Sequence, residues 1–111
     1  MRPPGTRHGP GLLLAAWMAT AGAAAAPPGP ERQAELHRLL IQDCGSCHGL
    51  RLKGGLGPPL LPEAIAARPD DLLVQTILEG REGTPMPPWK PFLSPGEAAW
   101  LVRELRRGVR P

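Results

Sequence analysis

Five consecutive residues, Cys44 to His48, bring together two thiols and one imidazole at the spacing C-x-x-C-H. Two thiols three positions apart can each add to one of the two vinyl groups of a single porphyrin, so this spacing is typical of covalent c-type haem attachment. A histidine directly after the second cysteine then lies under the iron and can bind it through a ring nitrogen. The motif predicts one haem held by Cys44 and Cys47, with His48 as an iron ligand.

Three other chemistries also use paired cysteines. A thioredoxin-like redox dithiol needs a βαβ context, which this Pro-rich chain lacks. A structural zinc site needs about four Cys or His ligands. Once a predicted N-terminal leader is removed, the only such residues are His37, Cys44, Cys47 and His48, so zinc stays open on count alone. A plain disulfide is possible in an oxidising compartment. Haem is favoured because the motif agrees with an export signal and a well-placed methionine.

Met86 is the predicted second iron ligand, since the other two methionines of the chain fall in the predicted leader. Prolines at positions 85, 87 and 88 hold its backbone extended and stiff. It follows His48 by 38 residues, which is enough chain to pass around the haem edge and reach the opposite face. The alternative is a methionine on a surface loop. His37 is the other candidate ligand, but it is predicted to lie on the surface of the first helix.

The other ring nitrogen of His48 needs a hydrogen-bond partner, because a backbone carbonyl there would fix the tautomer and strengthen the ligand. The run Gly57-Pro58-Pro59-Leu60 follows shortly after the motif. We expect the Pro58 carbonyl oxygen to be this acceptor. The prolines also suit a rigid turn, and the two interpretations are compatible.

Residues 1–25 are predicted to be a cleaved secretory signal peptide, and residues 26–111 the folded domain. A basic start with Arg2 and Arg7 is followed by a mostly apolar run, residues 12–21, and then by small residues suited to cleavage between Ala23 and Ala26. The apolar run is shorter than the ~20 residues of a membrane span. An uncleaved anchor is the alternative. Export to the periplasm, with no stable membrane anchor, suits covalent haem attachment.

The charge distribution gives no support to a nucleic-acid role. From Glu31 onward the chain has 11 Lys/Arg and 10 Asp/Glu, a balance of +1, without a basic stripe. The local exception is a C-terminal cluster of arginines. We interpret it as a solvated helix face that suits the negative end of the helix dipole, with docking of an acidic partner as the alternative. The cluster comprises Arg103, Arg106, Arg107 and Arg110.

The pattern of apolar residues predicts an all-α domain. Three main helices are expected, over residues 31–43, over residues 69–80, and after a capping box at Ser94 up to Gly108. A short helical turn is expected within residues 61–67. Two Gly/Pro-rich loops join the helices, and no stretch alternates like a half-buried strand. Loops this long are unusual in a small domain, but they suit a chain wrapped around a planar cofactor.

The chain resembles the class I c-type cytochromes. The resemblance rests on Cys44–His48, Gly57–Leu60 and Pro85–Pro87 with a closing helix, and it covers essentially all of the predicted domain. It implies a small cytochrome c fold around one haem, in which the first and last helices cross. Trp100 is the expected aromatic at that crossing, and Ala34 takes the place of the small residue usually found there.

A narrower resemblance is to the NirC-type cytochromes of denitrification gene clusters. It rests on residues 42–58, which contain Leu52-Lys53-Gly54-Gly55-Leu56-Gly57-Pro58, and on residues 83–94. The resemblance implies electron transfer around the cytochrome-cd-type nitrite reductase, either as its reductant or in maturation of its d-type haem.

With His48 and Met86 both on the iron, no position is left for a substrate, and Met/His ligation raises the reduction potential. We therefore expect a monomeric single-electron carrier rather than an enzyme, with redox proteins as partners. Arg51 and Lys53 are expected to border the haem edge as a small docking patch, with ordinary solvated charge as the alternative. A biogenesis factor shares the same chemistry. A haem enzyme or gas sensor would require displacement of Met86.

Overall fold

The structure, a computed structural model, describes Met1, residues 4–5 and residues 26–110. The predicted signal peptide falls almost entirely outside the described residues. None of the described residues lies in a β-strand, so this part of the chain is helical with connecting loops. These described residues form five α-helices: α1 Pro30–Leu39, α2 Gly45–His48, α3 Pro62–Ile65, α4 Asp70–Glu79 and α5 Pro95–Arg107. The three longer ones, α1, α4 and α5, confirm the predicted all-α fold.

The first helix extends further than predicted. After α1 the chain continues as a π-helical turn, Leu40–Cys44, and then directly as α2 through the haem-attachment motif. The prediction that the helix ends by residue 43 is therefore wrong. Such π-turns often occur at functional sites. Because the helix continues, both thiols and the imidazole are presented on one regular element, which ends at Gly49 with φ of 92°.

Helix α5 begins as predicted. The Ser94 side chain accepts a hydrogen bond from the backbone N–H of Glu97, and the Glu97 carboxylate accepts one from the backbone N–H of Ser94. Its apolar stripe, Leu101, Val102 and Leu105, is buried.

Helices α1 and α5 contact each other, and both contribute to the buried core. Leu36 of α1, Leu40 of the π-turn and Trp100 of α5 belong to one buried cluster, which also includes Leu52, Ile65 and Leu93. Ala34, by contrast, is exposed, so the expectation that it forms the crossing contact is wrong. On the same helix, Leu36 is fully buried and belongs to the core cluster.

Helix α4 follows Pro69 and buries none of its residues completely. Its apolar residues Leu73, Ile77 and Leu78 are half-buried against the core cluster, and Leu72 is 44% exposed. Part of this apolar side faces a cavity rather than another helix, as described below.

One of the C-terminal arginines fixes the turn between α3 and α4. The Arg106 guanidinium donates to the Ile65 carbonyl at 2.8 Å, to the Arg68 carbonyl, and to the Asp70 carboxylate at 2.8 and 3.0 Å. Arg107 pairs with Glu104 within α5 at 3.0 Å. The interpretation of all four arginines as a freely solvated face is therefore wrong for Arg106, which is bound within the chain.

The contact between α1 and α5 should make stability depend on pH. Arg32 Nε donates to the Glu97 carboxylate at 2.6 Å. This bond, with the backbone N–H of Ser94, holds the pKa of Glu97 below its ordinary value of 4.5. Because the folded-state pKa is the lower one, ionised Glu97 stabilises the fold fully above about pH 4.5, and that contribution is lost as the pH falls through the folded-state pKa.

We therefore expect Glu97→Gln to lower the free energy of unfolding at neutral pH, and the difference from wild type to shrink as the pH falls below about 4.5. Urea unfolding across this pH range measures it. The exposed Glu82→Gln is the matched control. If Glu97→Gln lowered the free energy of unfolding by the same amount at acid and at neutral pH, ionised Glu97 would not be the source of this stabilisation.

Among the positions that the structure describes, no helix is both long enough and apolar enough to cross a membrane.

Candidate haem site

A cavity of about 560 Å³ opens between the π-turn, the loop after α2, helix α4 and the segment before α5. Its volume is within the range of small-molecule and cofactor sites. All five site residues predicted from sequence line it: Cys44, Cys47, His48, Pro58 and Met86. Residues from three separate stretches of the chain are thus brought to one site.

The His48 ring is held by the loop that follows α2. Its Nδ1 lies 2.7 Å from the Pro58 carbonyl oxygen. A carbonyl oxygen only accepts hydrogen bonds, so Nδ1 carries the proton and the Nε2 lone pair is free to bind a metal. This is the contact that the sequence predicts for Pro58.

Gly57 is required beside this ring. A Cβ at Gly57 would lie 2.8 Å from both Cε1 and Nδ1 of His48, closer than real side chains approach. The loop also satisfies the end of α2, because the N–H groups of Gly57 and Gly54 each donate at 2.8 Å to the carbonyls of Cys47 and His48. The backbone of the loop from Gly54 to Pro58 therefore fixes the orientation of the imidazole ring.

The two thiols are free and half-buried. Burial, with a smaller effect of Asp43, raises the pKa of Cys44 to about 11. A redox dithiol of the thioredoxin kind needs a lowered thiol pKa, so this environment disfavours that alternative. No group of three or more Cys, His, Asp or Glu side chains able to hold a metal ion is found in the described part of the chain, which leaves the zinc alternative without support there.

Met86 is half-buried and reaches the same cavity from the loop after α4. Its backbone N–H donates to the Thr84 hydroxyl oxygen at 3.3 Å, and that hydroxyl donates to the Arg81 carbonyl at 2.7 Å. The N–H of Arg81 in turn donates to the Met86 carbonyl at 3.2 Å. This closed turn holds the methionine backbone, as expected of a side chain presented at a fixed position.

The walls of the cavity are mainly apolar, as a porphyrin requires. They include Leu40, Ile65, Leu73, Ile77, Leu101 and Leu105. Arg68 and Arg81 also line the cavity and bring positive charge to it. Neither arginine was predicted from the sequence to be a site residue. The one available signal was that each lies close to an end of the predicted helix α4. Two thiols, an oriented imidazole, a thioether, apolar walls and two guanidinium groups together fit a haem with its carboxylates.

Comparison with known proteins first shows the class of protein to which this chain belongs. The sequence model of the family described as cytochrome c oxidase, cbb3-type, subunit III matches residues 31–103. The chain is thus a c-type cytochrome domain, and this agrees with its fold and with its single attachment motif.

Closer relatives are also found. Cytochrome c55X of Pseudomonas aeruginosa is 53% identical over 102 residues, covering 85% of this chain and 86% of the relative. The solved structure of a c-type cytochrome NirC is 59% identical, with a TM-score of 0.72, covering 73% of this chain and 95% of that one. The chain belongs to the cytochrome c55X, or NirC-like, family of monohaem c-type cytochromes.

A third relative is much longer. The dihydro-heme d1 dehydrogenase of Pseudomonas aeruginosa is 38% identical over 95 residues, which cover 86% of this chain but 17% of that protein. The resemblance is therefore to one small part of that dehydrogenase.

Proposed function

We propose that this protein is a periplasmic carrier of single electrons, with its haem bound through Cys44 and Cys47 and ligated by His48 and Met86. The observation that carries the proposal is the convergence of these four side chains on one apolar cavity. Bound haem supplies an iron that changes by one electron. His48 and Met86 would ligate that iron, and with both bound no coordination position would be left for a substrate.

Each remaining wall residue has a role in this proposal. The Pro58 carbonyl keeps the proton on Nδ1 of His48, which makes the imidazole a stronger ligand. Arg68 and Arg81 line the cavity and would offset the negative charge of the haem carboxylates. A thioether ligand favours the reduced iron. The expected result is a carrier of relatively high potential.

For the partner, we propose the cytochrome-cd-type nitrite reductase of denitrification. Support comes from the family, since one solved relative is a c-type cytochrome NirC. The leader-like composition of residues 1–25 supports export and a periplasmic location. Such a partner would dock transiently, and transient redox contacts typically bury less than ~1,200 Å².

A second candidate function is a role in maturation of the d-type haem of that reductase. It is favoured by one specific observation, the likeness of this chain to part of a dihydro-heme d1 dehydrogenase. A redox domain of this type could accept electrons during such a dehydrogenation. The two functions share the same cavity and ligands, so they differ only in the direction and partner of electron transfer.

Stopped-flow mixing tests the carrier role. Reduced protein mixed with oxidised nitrite reductase is expected to be reoxidised within the time of one enzyme turnover, and the rate should depend on salt because docking involves charge. Lys53→Glu, in the exposed loop beside the site, is expected to alter that salt dependence, whereas Arg38→Glu on α1 should not.

Two results would count against these proposals. If the rate of electron transfer had the same salt dependence in wild type, Lys53→Glu and Arg38→Glu, this would contradict the proposal that Arg51 and Lys53 form a docking patch. If the reductase does not reoxidise the protein, but a dihydro-haem d1 dehydrogenase reduces it, the maturation role would replace the carrier role.

A further inference from the structure

The segment that carries Met86 is attached to the carboxyl end of α4 by backbone hydrogen bonds. The N–H groups of Trp89 and Lys90 donate to the carbonyls of Ile77 and Leu78 at 3.0 and 3.2 Å. The last carbonyls of a helix have no partner within the helix, so the segment satisfies two of them. The position of Met86 is therefore tied to the position of this helix end.

Gly80 lies directly between the helix end and this segment. A Cβ at Gly80 would lie 2.7 Å from the Met86 carbonyl oxygen, 2.7 Å from Pro87 C and 2.8 Å from Pro88 N. Ordinary contacts begin at 3.4 Å, so the segment would have to retreat by about 0.7 Å. All three atoms belong to the backbone, and no change of rotamer can relieve the contact.

The conformation of Gly80 adds to this requirement. Its φ of 69° and ψ of −168° fall in a region that essentially only glycine occupies. Gly83, in the same loop, also has a positive φ, 75°, but no atom lies within 4 Å of a Cβ built there. Substitution at either glycine strains the backbone, whereas only substitution at Gly80 pushes on the methionine segment.

We propose that the turn from Gly80 to Thr84 positions Met86, with Gly80 as the contact point that lets the methionine backbone approach the helix end. Gly80 touches no reacting atom and acts through Met86, so it is a positioning residue. Ligand geometry must be held to within about 0.5 Å for function, and the displacement caused by a side chain exceeds that. The inference rests on the proposed ligation of iron by Met86.

The test compares Gly80→Ala with Gly83→Ala in the full holoprotein. The ferric absorption band at ~700 nm reports the bond between methionine and iron. Carbon monoxide binding to the ferrous protein reports the open sixth position, because apparent affinity is proportional to the open fraction. We expect Gly80→Ala to lose most of the ferric band and to gain on the order of tenfold in apparent affinity for carbon monoxide. Gly83→Ala should retain the band.

Thr84→Val is a second variant, at an exposed position and without added bulk. It removes the hydroxyl that bridges Arg81 and Met86 and is expected to weaken the ferric band to a smaller degree. Equal behaviour of Gly80→Ala and Gly83→Ala would overturn the inference. If Gly80→Ala yields no holoprotein, a Thr84→Val protein identical to wild type would overturn it. A wild-type protein without the band would instead overturn the proposed ligation itself.

Discussion

Replacement of both Cys44 and Cys47 by alanine is expected to abolish covalent haem attachment. Each thiol supplies one of the two bonds to the porphyrin, so the double variant has no site at which a haem can be retained through denaturation. The cavity of about 560 Å³ would also lose the group that its walls fit, and a chain this small has little other core to stabilise it.

Haem staining after denaturing electrophoresis measures the result, together with the intact mass of the protein. Ser46→Ala is the matched control, because Ser46 lies between the two thiols, is exposed, and donates only to the Asp43 carbonyl at 2.7 Å and weakly towards Cys47. It should retain haem at the wild-type level. A double variant that still stains for haem would contradict the proposed attachment.

Met86→Leu is expected to lower the reduction potential, by on the order of 100 mV or more, and to open the sixth coordination position. Leucine keeps most of the volume of methionine while removing the sulfur, so the fold around the cavity should be preserved. The lost ligand is the one that favours ferrous iron, and this sets the sign of the change.

Redox titration and carbon monoxide binding measure the two effects. Lys90→Gln is the control, since it breaks only a surface ion pair with Glu79 at 3.0 Å in the same segment. An unchanged potential in Met86→Leu would mean that methionine does not ligate the iron, and the chain would then have to be considered as a haem enzyme or gas sensor.

Much of the fold could be predicted from sequence because its signals are local. The capping box at Ser94 and Glu97 marks the start of α5, and Gly80 and Gly108 follow the ends of α4 and α5. The π-turn that ends at Cys44 could not be predicted, since it has no local sequence signal. The exposure of Ala34 could not be predicted either, because the packing of two helices depends on the side chains of both.

The candidate site also has some features that the sequence predicts and others that it does not. The motif, the hydrogen bond from His48 to Pro58 and the lone methionine in a proline-rich loop are all visible in the sequence. The positions of Arg68 at the cavity wall and of Arg106 at the turn between α3 and α4 could not be predicted from the sequence. They depend on contacts between residues that are 36 to 41 positions apart. The role of Gly80 depends on backbone atoms of residues 86–88, and no composition or periodicity reports such an approach.

The visible spectrum of the protein expressed with haem-attachment machinery, taken reduced and oxidised, shows directly whether one covalent haem is ligated by His48 and Met86. We expect a sharp α band when the protein is reduced, a weak ferric band at ~700 nm, and no response to carbon monoxide. A haem spectrum without the ferric band that shifts with carbon monoxide would contradict Met86 as a ligand, and a colourless protein would contradict the haem itself.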